Sequence, residues 1–153
     1  MKIRTFITLG AVIATLMITS CSKYPGFKKS DSGIYYKFYD KGDDTLKAKE
    51  GTILTMSLKY RLKIAGKDSV LFNSSQSPRP FEIDQRKPEF KGDIFEAFSM
   101  LHKGDSATFI VNAKDFFFKT AKFPQLPEGV DSTTPMYFDV RLLNVETLEA
   151  RQK

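Results

Sequence analysis

Cysteine and histidine occur once each in the 153 residues, and tryptophan not at all. Each scarcity removes a class of chemistry. One cysteine, Cys21, rules out a disulfide framework within the chain and a zinc site built on several thiolates. One histidine, His102, leaves hydrolytic triads without their usual base and is too few for a histidine-held metal. The sequence also contains no HExxH, GxxxxGK(S/T), GxSxG or GxGxxG, so metalloprotease, P-loop, α/β-hydrolase and dinucleotide chemistry lack their motifs. No period of roughly 20 to 50 residues recurs, which excludes a repeat array. Asp43 and Asp44 are adjacent carboxylates, but they lie in a turn-prone KGDD with no apolar wall to shift a pKa and read as solvated. Neither a metal nor a cofactor is expected.

Charge of one sign is in little excess: 24 Lys and Arg against 18 Asp and Glu give a formal net charge of +6. The one dense basic pair is Lys28-Lys29, so a solvated surface is expected there and no nucleic-acid partner. Long apolar runs are confined to the N-terminus. Lys2 and Arg4 precede an uncharged run from Thr5 to Ser20, shorter than the roughly 20 residues that cross a bilayer and matching a signal-peptide core. Ile18-Thr19-Ser20-Cys21 resembles a bacterial lipobox. That resemblance implies cleavage before Cys21 and a diacylglyceryl thioether on it, leaving a mature chain without a thiol. Loss of Lys2 and Arg4 then brings the net charge to about +4. At about 0.8 kcal/mol per buried methylene, several acyl chains anchor a protein almost permanently. The implied division is 1–20 as leader, 21–32 as lipidated cysteine and tether, and 33–153 as the domain. Such a protein is expected on the bacterial cell envelope, on the outer membrane facing the periplasm. Residues 22–32, SKYPGFKKSDS, show no periodicity and read as a tether reaching roughly 36 to 40 Å when extended.

At 41% hydrophobic residues the remainder supports one domain with a real core. Ile34, Tyr36 and Phe38 alternate with Tyr35, Lys37 and Tyr39. The clearest strand runs from Thr52 to Ile64, with Leu54, Met56, Leu58, Tyr60, Leu62 and Ile64 on one face and mainly polar residues on the other. Ala65-Gly66-Lys67-Asp68 turns the chain into Ser69-Phe72. SSQSPRP is irregular, and Phe81-Glu82-Ile83 reads as a short strand. Asp93 and Glu96 have capping-box spacing for a helix over IFEAFSML, whose apolar face is Ile94, Phe95, Phe98 and Leu101. His102 and Lys103 suit the negative helix end and Gly104 its C-cap, which assigns His102 to capping. SATFIVN and MYFDVRLL read as the last strands. One short helix against an antiparallel sheet is an α+β half-barrel.

The order FKGD, helix, HKGD, strand, aromatic run, loop and MYFDVRLL resembles the C-terminal half of the FKBP-type peptidyl-prolyl isomerase fold, and the resemblance extends over about residues 33 to 146. It implies an antiparallel half-barrel sheet wrapped around one short central helix, with the following site. Tyr60 in LKYRL looks like the pocket tyrosine of the family's HYTG, Phe72 in LFNSS like the phenylalanine of FDSS, and Phe81 in RPFEI like that of PFxF. Phe90 and Lys91 fall near the valine-isoleucine pair whose backbone amide donates to the substrate carbonyl. Phe138 in YFDVRLL matches the ring closing the pocket, Leu126-Pro127 resembles the isoleucine-proline of the flap, and Met100 to Gly104 fits the MxxG helix exit. The chain departs from the pattern at three positions. Asn73 stands in place of aspartate, Phe118 in place of the flap tyrosine, and Ile94, with Phe95 as the other candidate, in place of the floor tryptophan.

Aromatic residues are abundant, 14 Phe and 6 Tyr. That abundance suits prolyl isomerisation, which needs no acid, base, metal or nucleophile. Rotation about the amide crosses a barrier of about 18 to 20 kcal/mol by losing resonance, and the twisted amide is less polar than the planar one. A dry aromatic cup with a few hydrogen bonds stabilises it preferentially. The resemblance thus implies isomerisation of X-Pro bonds in exported proteins, with Tyr60, Phe72, Asn73 and Phe118 catalytic and Phe81, Phe90, Lys91, Ile94, Leu126 and Phe138 binding substrate. A monomer is expected. Two alternatives stay open: a non-catalytic proline-peptide binding module or chaperone, and a structural outer-membrane lipoprotein. For the anchor, Cys21→Ser is expected to yield an uncleaved or soluble product whose domain still folds. A mature-length variant that still fractionates with membranes sinks the lipobox reading.

Overall fold

The computed structural model describes residues 23–43 and 45–153; the expected leader, the expected lipobox with Cys21, and Asp44 lie outside the described residues. The alternation from Thr52 to Ile64 produces the strand on which the others assemble. Seven strands form one antiparallel sheet: β1 (Lys28–Lys29), β2 (Tyr35–Asp40), β3 (Thr52–Ile64), β4 (Lys67–Asn73), β5 (Phe81–Asp84), β6 (Ser106–Asn112) and β7 (Pro135–Thr147). Their order is β1-β2-β6-β7-β3-β4, with β5 also on β3. The helices are short: α1 (Ile94–Phe98), α2 (Ala113–Asp115) running into a π turn over Phe116–Thr120, and α3 (Leu148–Arg151). The expected half-barrel around one short central helix is the architecture observed.

Leu54, Met56, Leu58 and Leu62 of β3 are buried, Tyr60 and Ile64 on the same face are half-buried, and Ser57 and Lys63 on the other face are exposed. One edge of β3 pairs with β7 from Thr52↔Thr147 to Leu62↔Met136, interrupted by a bulge between Thr55 and Met56. The other edge is divided: β5 pairs with residues 53–56 and β4 with residues 59–64. Between them the Leu58 amide has no strand partner on that side. It donates instead to the hydroxyl Oγ of Ser74 at 2.9 Å. Ser74 is itself buried, in the 3₁₀ turn Ser74–Gln76. A side chain thus satisfies a buried amide that would otherwise be orphaned.

The central helix is held at its start as its sequence predicts, with one change. Asp93 is 2% exposed; its Oδ1 accepts from the Phe95 amide at 3.3 Å and its Oδ2 from the Glu89 amide at 3.0 Å. Glu96 reaches back, but to the Gly92 amide at 3.1 Å, so the reciprocal bond closes one residue before the cap. The helix also ends early. The Ser99 hydroxyl takes the Glu96 carbonyl at 2.6 Å, and the amides of Met100 and Leu101 bond three residues back to Ala97 and Phe98. The chain therefore leaves the helix after Phe98 rather than running to Leu101. His102 and Gly104 consequently do not cap it, contrary to the expectation. His102 bridges to Lys47 in the sheet direction, and its amide donates to Asp105 Oδ2 at 2.8 Å. Gly104, at φ +91°, crosses Gly42, where an added Cβ would meet the Lys103 carbonyl oxygen; no side chain fits between the two segments.

The tether is shorter than expected. Lys28–Lys29 pair with Tyr36 and Tyr35, and the Tyr24 ring lies 4.7 Å from Tyr35 and 6.2 Å from Tyr137. The reason lies in Ile110, an apolar residue on the outer face of the sheet. Tyr35 and Tyr137 are its cross-strand neighbours; Ile110 is only 3% exposed. Composition marked 22–32 as linker because it counts Pro, Gly and Lys and ignores what a single ring can cover.

Two measurements check this packing. Ser74→Ala leaves the Leu58 amide unpaired and is expected to cost about 1 to 3 kcal/mol in denaturant unfolding. Leu54→Ala, at a position with no exposure, is expected to cost about 2 to 5 kcal/mol, and Lys63→Ala less than about 0.5. Equal losses for the last two place the strand on the wrong face.

Candidate functional site

The inner face of the sheet and the central helix leave one apolar cup of about 170 Å³. Each wall follows from a local pattern. β3 supplies Leu58 and Tyr60, two residues apart and hence on one face. β7 supplies Phe138, directly opposite Tyr60 in the register. β5 adds Phe81 and Ile83, and α1 adds Ile94, Phe95 and Phe98. The π turn contributes Phe116 and Thr120, and Arg86 stands on the segment after β5.

The rings are mutually placed. Tyr60 lies 5.2 Å from Phe138 and 6.0 Å from Phe116, and Phe116 lies 5.3 Å from Phe138. Phe98 meets Phe138 edge-on at 6.5 Å and 80°. Phe98 and Phe138 are almost fully buried, so they form the floor. Burial pushes the Tyr60 phenol above its ordinary pKa. Edge-to-face and offset ring pairs of this kind contribute about 0.5 to 1.5 kcal/mol beyond burial, which fixes the rings before any ligand arrives.

The structure gathers part of the sequence-derived site and disperses the rest. Tyr60, Phe81, Ile94 and Phe138 line the cup, and so does Phe95, so both candidates for the missing tryptophan position are present. Phe72 stands behind the wall, stacked on Tyr60 at 5.3 Å and 19° and touching Phe81 at 5.2 Å. Leu126 packs on the core outside the lining. Phe90 is half-buried beneath the Lys119 ammonium at 4.9 Å, and Lys91 is exposed; neither lines the cup.

Asn73 and Phe118, expected to be catalytic, do not line the cup. The Asn73 side chain accepts from the Ser75 amide at 3.1 Å and the Ser75 hydroxyl at 2.8 Å, which caps the 3₁₀ turn. It borders a wider hollow of about 510 Å³ on the outer face, with Lys59, Thr108, Asp139 and Arg141. That hollow is larger than the cup, and its lining mixes these charged and polar groups with Tyr39, Ala107 and Val140 instead of gathering aromatic rings. Phe118 is 39% exposed. Successive residues of a helical turn point in different directions, so Phe116 enters the cup, Phe117 enters the core and Phe118 faces solvent.

The residues that sequence reasoning did not place are Leu58, Ile83, Phe98, Phe116, Arg86 and Thr120. Leu58 and Ile83 carried a signal, being two residues from Tyr60 and Phe81 on the same faces; Phe98 follows Ile94 by one helical turn. The phase of the aromatic run was not readable, because a π turn has no signature of its own. Thr120 is held in place by its hydroxyl, 3.4 Å from Asp93 Oδ1, so the cap of the helix also ties down the π turn.

No protein-family model matches the chain, and no curated protein matches it. Among solved structures, FkpA from Escherichia coli superposes with a TM-score of 0.61 at 22% identity, over 82% of this chain and 54% of FkpA. The chain thus spans about half the length of that protein. A peptidyl-prolyl cis-trans isomerase from Pseudomonas syringae pv. tomato matches with a TM-score of 0.55 at 14% identity, over 82% of this chain and 84% of that one. The N-terminal domain of FKBP42 from Arabidopsis thaliana matches at 0.55 and 14%, over 78% and 91%. A seven-stranded antiparallel sheet wrapped on one short helix, with an aromatic cup between them, gives this chain the fold of FKBP-type peptidyl-prolyl isomerase domains.

Proposed function

We propose that the chain binds X-Pro segments of exported proteins in the aromatic cup and catalyses their cis–trans isomerisation. In this reading it acts as a monomer, held on the bacterial outer membrane by a lipid on Cys21. The observation that carries the reading is the size and apolar, ring-rich lining of the cup. Its volume of about 170 Å³ is close to that of apolar cavities, about 150 Å³, that stay dry and take up a single benzene ring. It is far below the roughly 300 to 1,000 Å³ of drug-sized sites. One pyrrolidine ring, rather than a cofactor or a large metabolite, is the natural occupant.

The chemistry asks little more. Gripping the proline ring while the preceding carbonyl turns lets binding energy oppose the planar amide, and the apolar wall favours the less polar twisted form. Tyr60 and Thr120 supply hydroxyls at the wall, and Arg86 supplies a cation. No general acid or base is required.

The second reading, a binding module or chaperone without useful turnover, is favoured by one observation. Asn73 and Phe118, the positions expected to contribute catalysis by resemblance, both point away from the cup.

A protease-coupled assay on proline peptides separates the two, with titration of the same peptides. Tyr60→Phe keeps the ring and removes one hydroxyl, so it is expected to slow isomerisation about 2- to 13-fold, the equivalent of one hydrogen bond of about 0.5 to 1.5 kcal/mol. Phe116→Ala is expected to weaken peptide binding, and His102→Ala to change neither. Asn73→Asp with Phe118→Tyr is expected to leave the rate unaltered, because neither side chain reaches the cup. Peptide binding without measurable turnover selects the second reading; no binding overturns both.

A further inference from the structure

We propose that Arg86 makes the cup selective for X-Pro segments that carry an acidic side chain beside the proline; this rests on the reading of the cup as a proline site. Arg86 is the one cationic side chain in the cup wall. It is also placed rather than floppy. The backbone of the preceding residue is pinned on both sides: the Gln85 amide donates to the Thr52 carbonyl at 2.8 Å, and the Gly51 amide donates to the Gln85 carbonyl at 2.9 Å. The Gln85 side chain, buried, donates from Nε2 to the Phe95 carbonyl at 2.8 Å. These bonds fix the backbone of the segment against α1, and the Arg86 guanidinium lies over the Phe95 ring, with Cζ 4.4 Å from its centroid.

A guanidinium stacked on an aromatic face keeps its N–H groups directed outward in the ring plane. Among the described residues none of these donors is used: Arg86 has no hydrogen bond or ion pair to the protein. The hydrogen bond from Lys122 is the main cause lowering the Glu89 pKa, and Glu89 is near enough for the Arg86 charge to help lower it, but no acid on the same stretch makes a hydrogen bond or ion pair with Arg86. Glu82 binds Arg151 at 2.8 Å, Glu89 binds Lys122 at 3.0 Å, and Asp84 forms no ion pair with Arg86. The cup therefore presents an apolar floor with a guanidinium at its rim that makes no hydrogen bond or ion pair among the described residues. That geometry is complementary to a ring followed or preceded by a carboxylate, since neighbouring residues of a peptide are only about 3.8 Å apart at Cα. Arginine donates bidentately to carboxylates, so the preference falls on Asp and Glu rather than on neutral acceptors.

The test titrates three peptides, differing only in Glu, Leu or Lys before the proline, into the detergent-solubilised full chain. At low salt the Glu peptide is expected to bind about two- to fivefold more tightly than the Leu peptide, the range of an exposed ion pair, and the Lys peptide more weakly than either. The order should flatten at about 0.5 M salt, where screening is short-ranged. Arg86→Gln should flatten it at low salt, and Arg86→Glu should invert it in favour of the Lys peptide. Inversion is an effect that a merely damaged fold does not produce. Equal binding of all three peptides by the unaltered chain, or retention of the Glu preference by Arg86→Glu, overturns the role of Arg86 and leaves the proline site standing. No binding of any of the three overturns the proline site itself.

Discussion

The pairing of β3 with β7 is the constraint on which the site depends. Two thirteen-residue strands lie antiparallel, and their register sets Tyr60 opposite Phe138 and Leu58 opposite Val140. Because side chains alternate strictly, a slip of one residue would carry Tyr60 to the outer face and bring Lys59 or Arg61 into the core. Burial of Leu54, Met56, Leu58 and Leu62 makes that slip very costly. The other edge of β3 has no single continuous partner. It is completed piecemeal by β5, the Ser74 hydroxyl and β4. That division is what lets β5 turn Phe81 and Ile83 inward at the mouth of the cup while β4 carries Phe72 behind Tyr60.

The site is built chiefly from apolar surface with few polar groups, and this suits the reaction proposed for it. A hydrolase or transferase must place charge where charge develops, and so needs titratable groups with displaced pKa values. Here the displaced group in the wall is a phenol held in its neutral form. The buried carboxylates Asp93 and Asp105 are turned to backbone amides, and they organise turns. The polar capacity of the interior is thus directed at architecture, leaving the cup free to work by exclusion of water and shape.

The fold was legible because its strongest signals are periodic. The alternation of β3 and β7, the Asp93 cap and the turn glycines all follow from backbone rules that act over a few residues. The cup was legible only in part, for a geometric reason. Tyr60, Phe81, Ile94 and Phe138 lie on regular elements whose facing side can be counted from the pattern. Phe116, Arg86 and Thr120 lie on irregular backbone, where the facing side is decided by tertiary packing. Asn73 and Phe118 were misplaced for the same reason: each sits where a regular element gives way to a tight turn. The helix end at Phe98 escaped because a hydroxyl-to-carbonyl bond from Ser99 and a tightened turn displace the expected termination by several residues.

The docking of Tyr24 has a mechanical consequence. It seats on Tyr35 and Tyr137, which flank Ile110 on the outer face of the sheet, whereas Tyr60 and Phe138 look inward from the same layer. Any attachment at residue 21 is three residues from that docked ring, at most about 11 Å of extended chain. Under the proposed attachment, a leash this short would restrict tumbling of the domain. Tyr24 thus packs on the outer face of the sheet, while the rings of the cup lie on its inner face, so the two ends of the chain's work are kept on different sides of one layer.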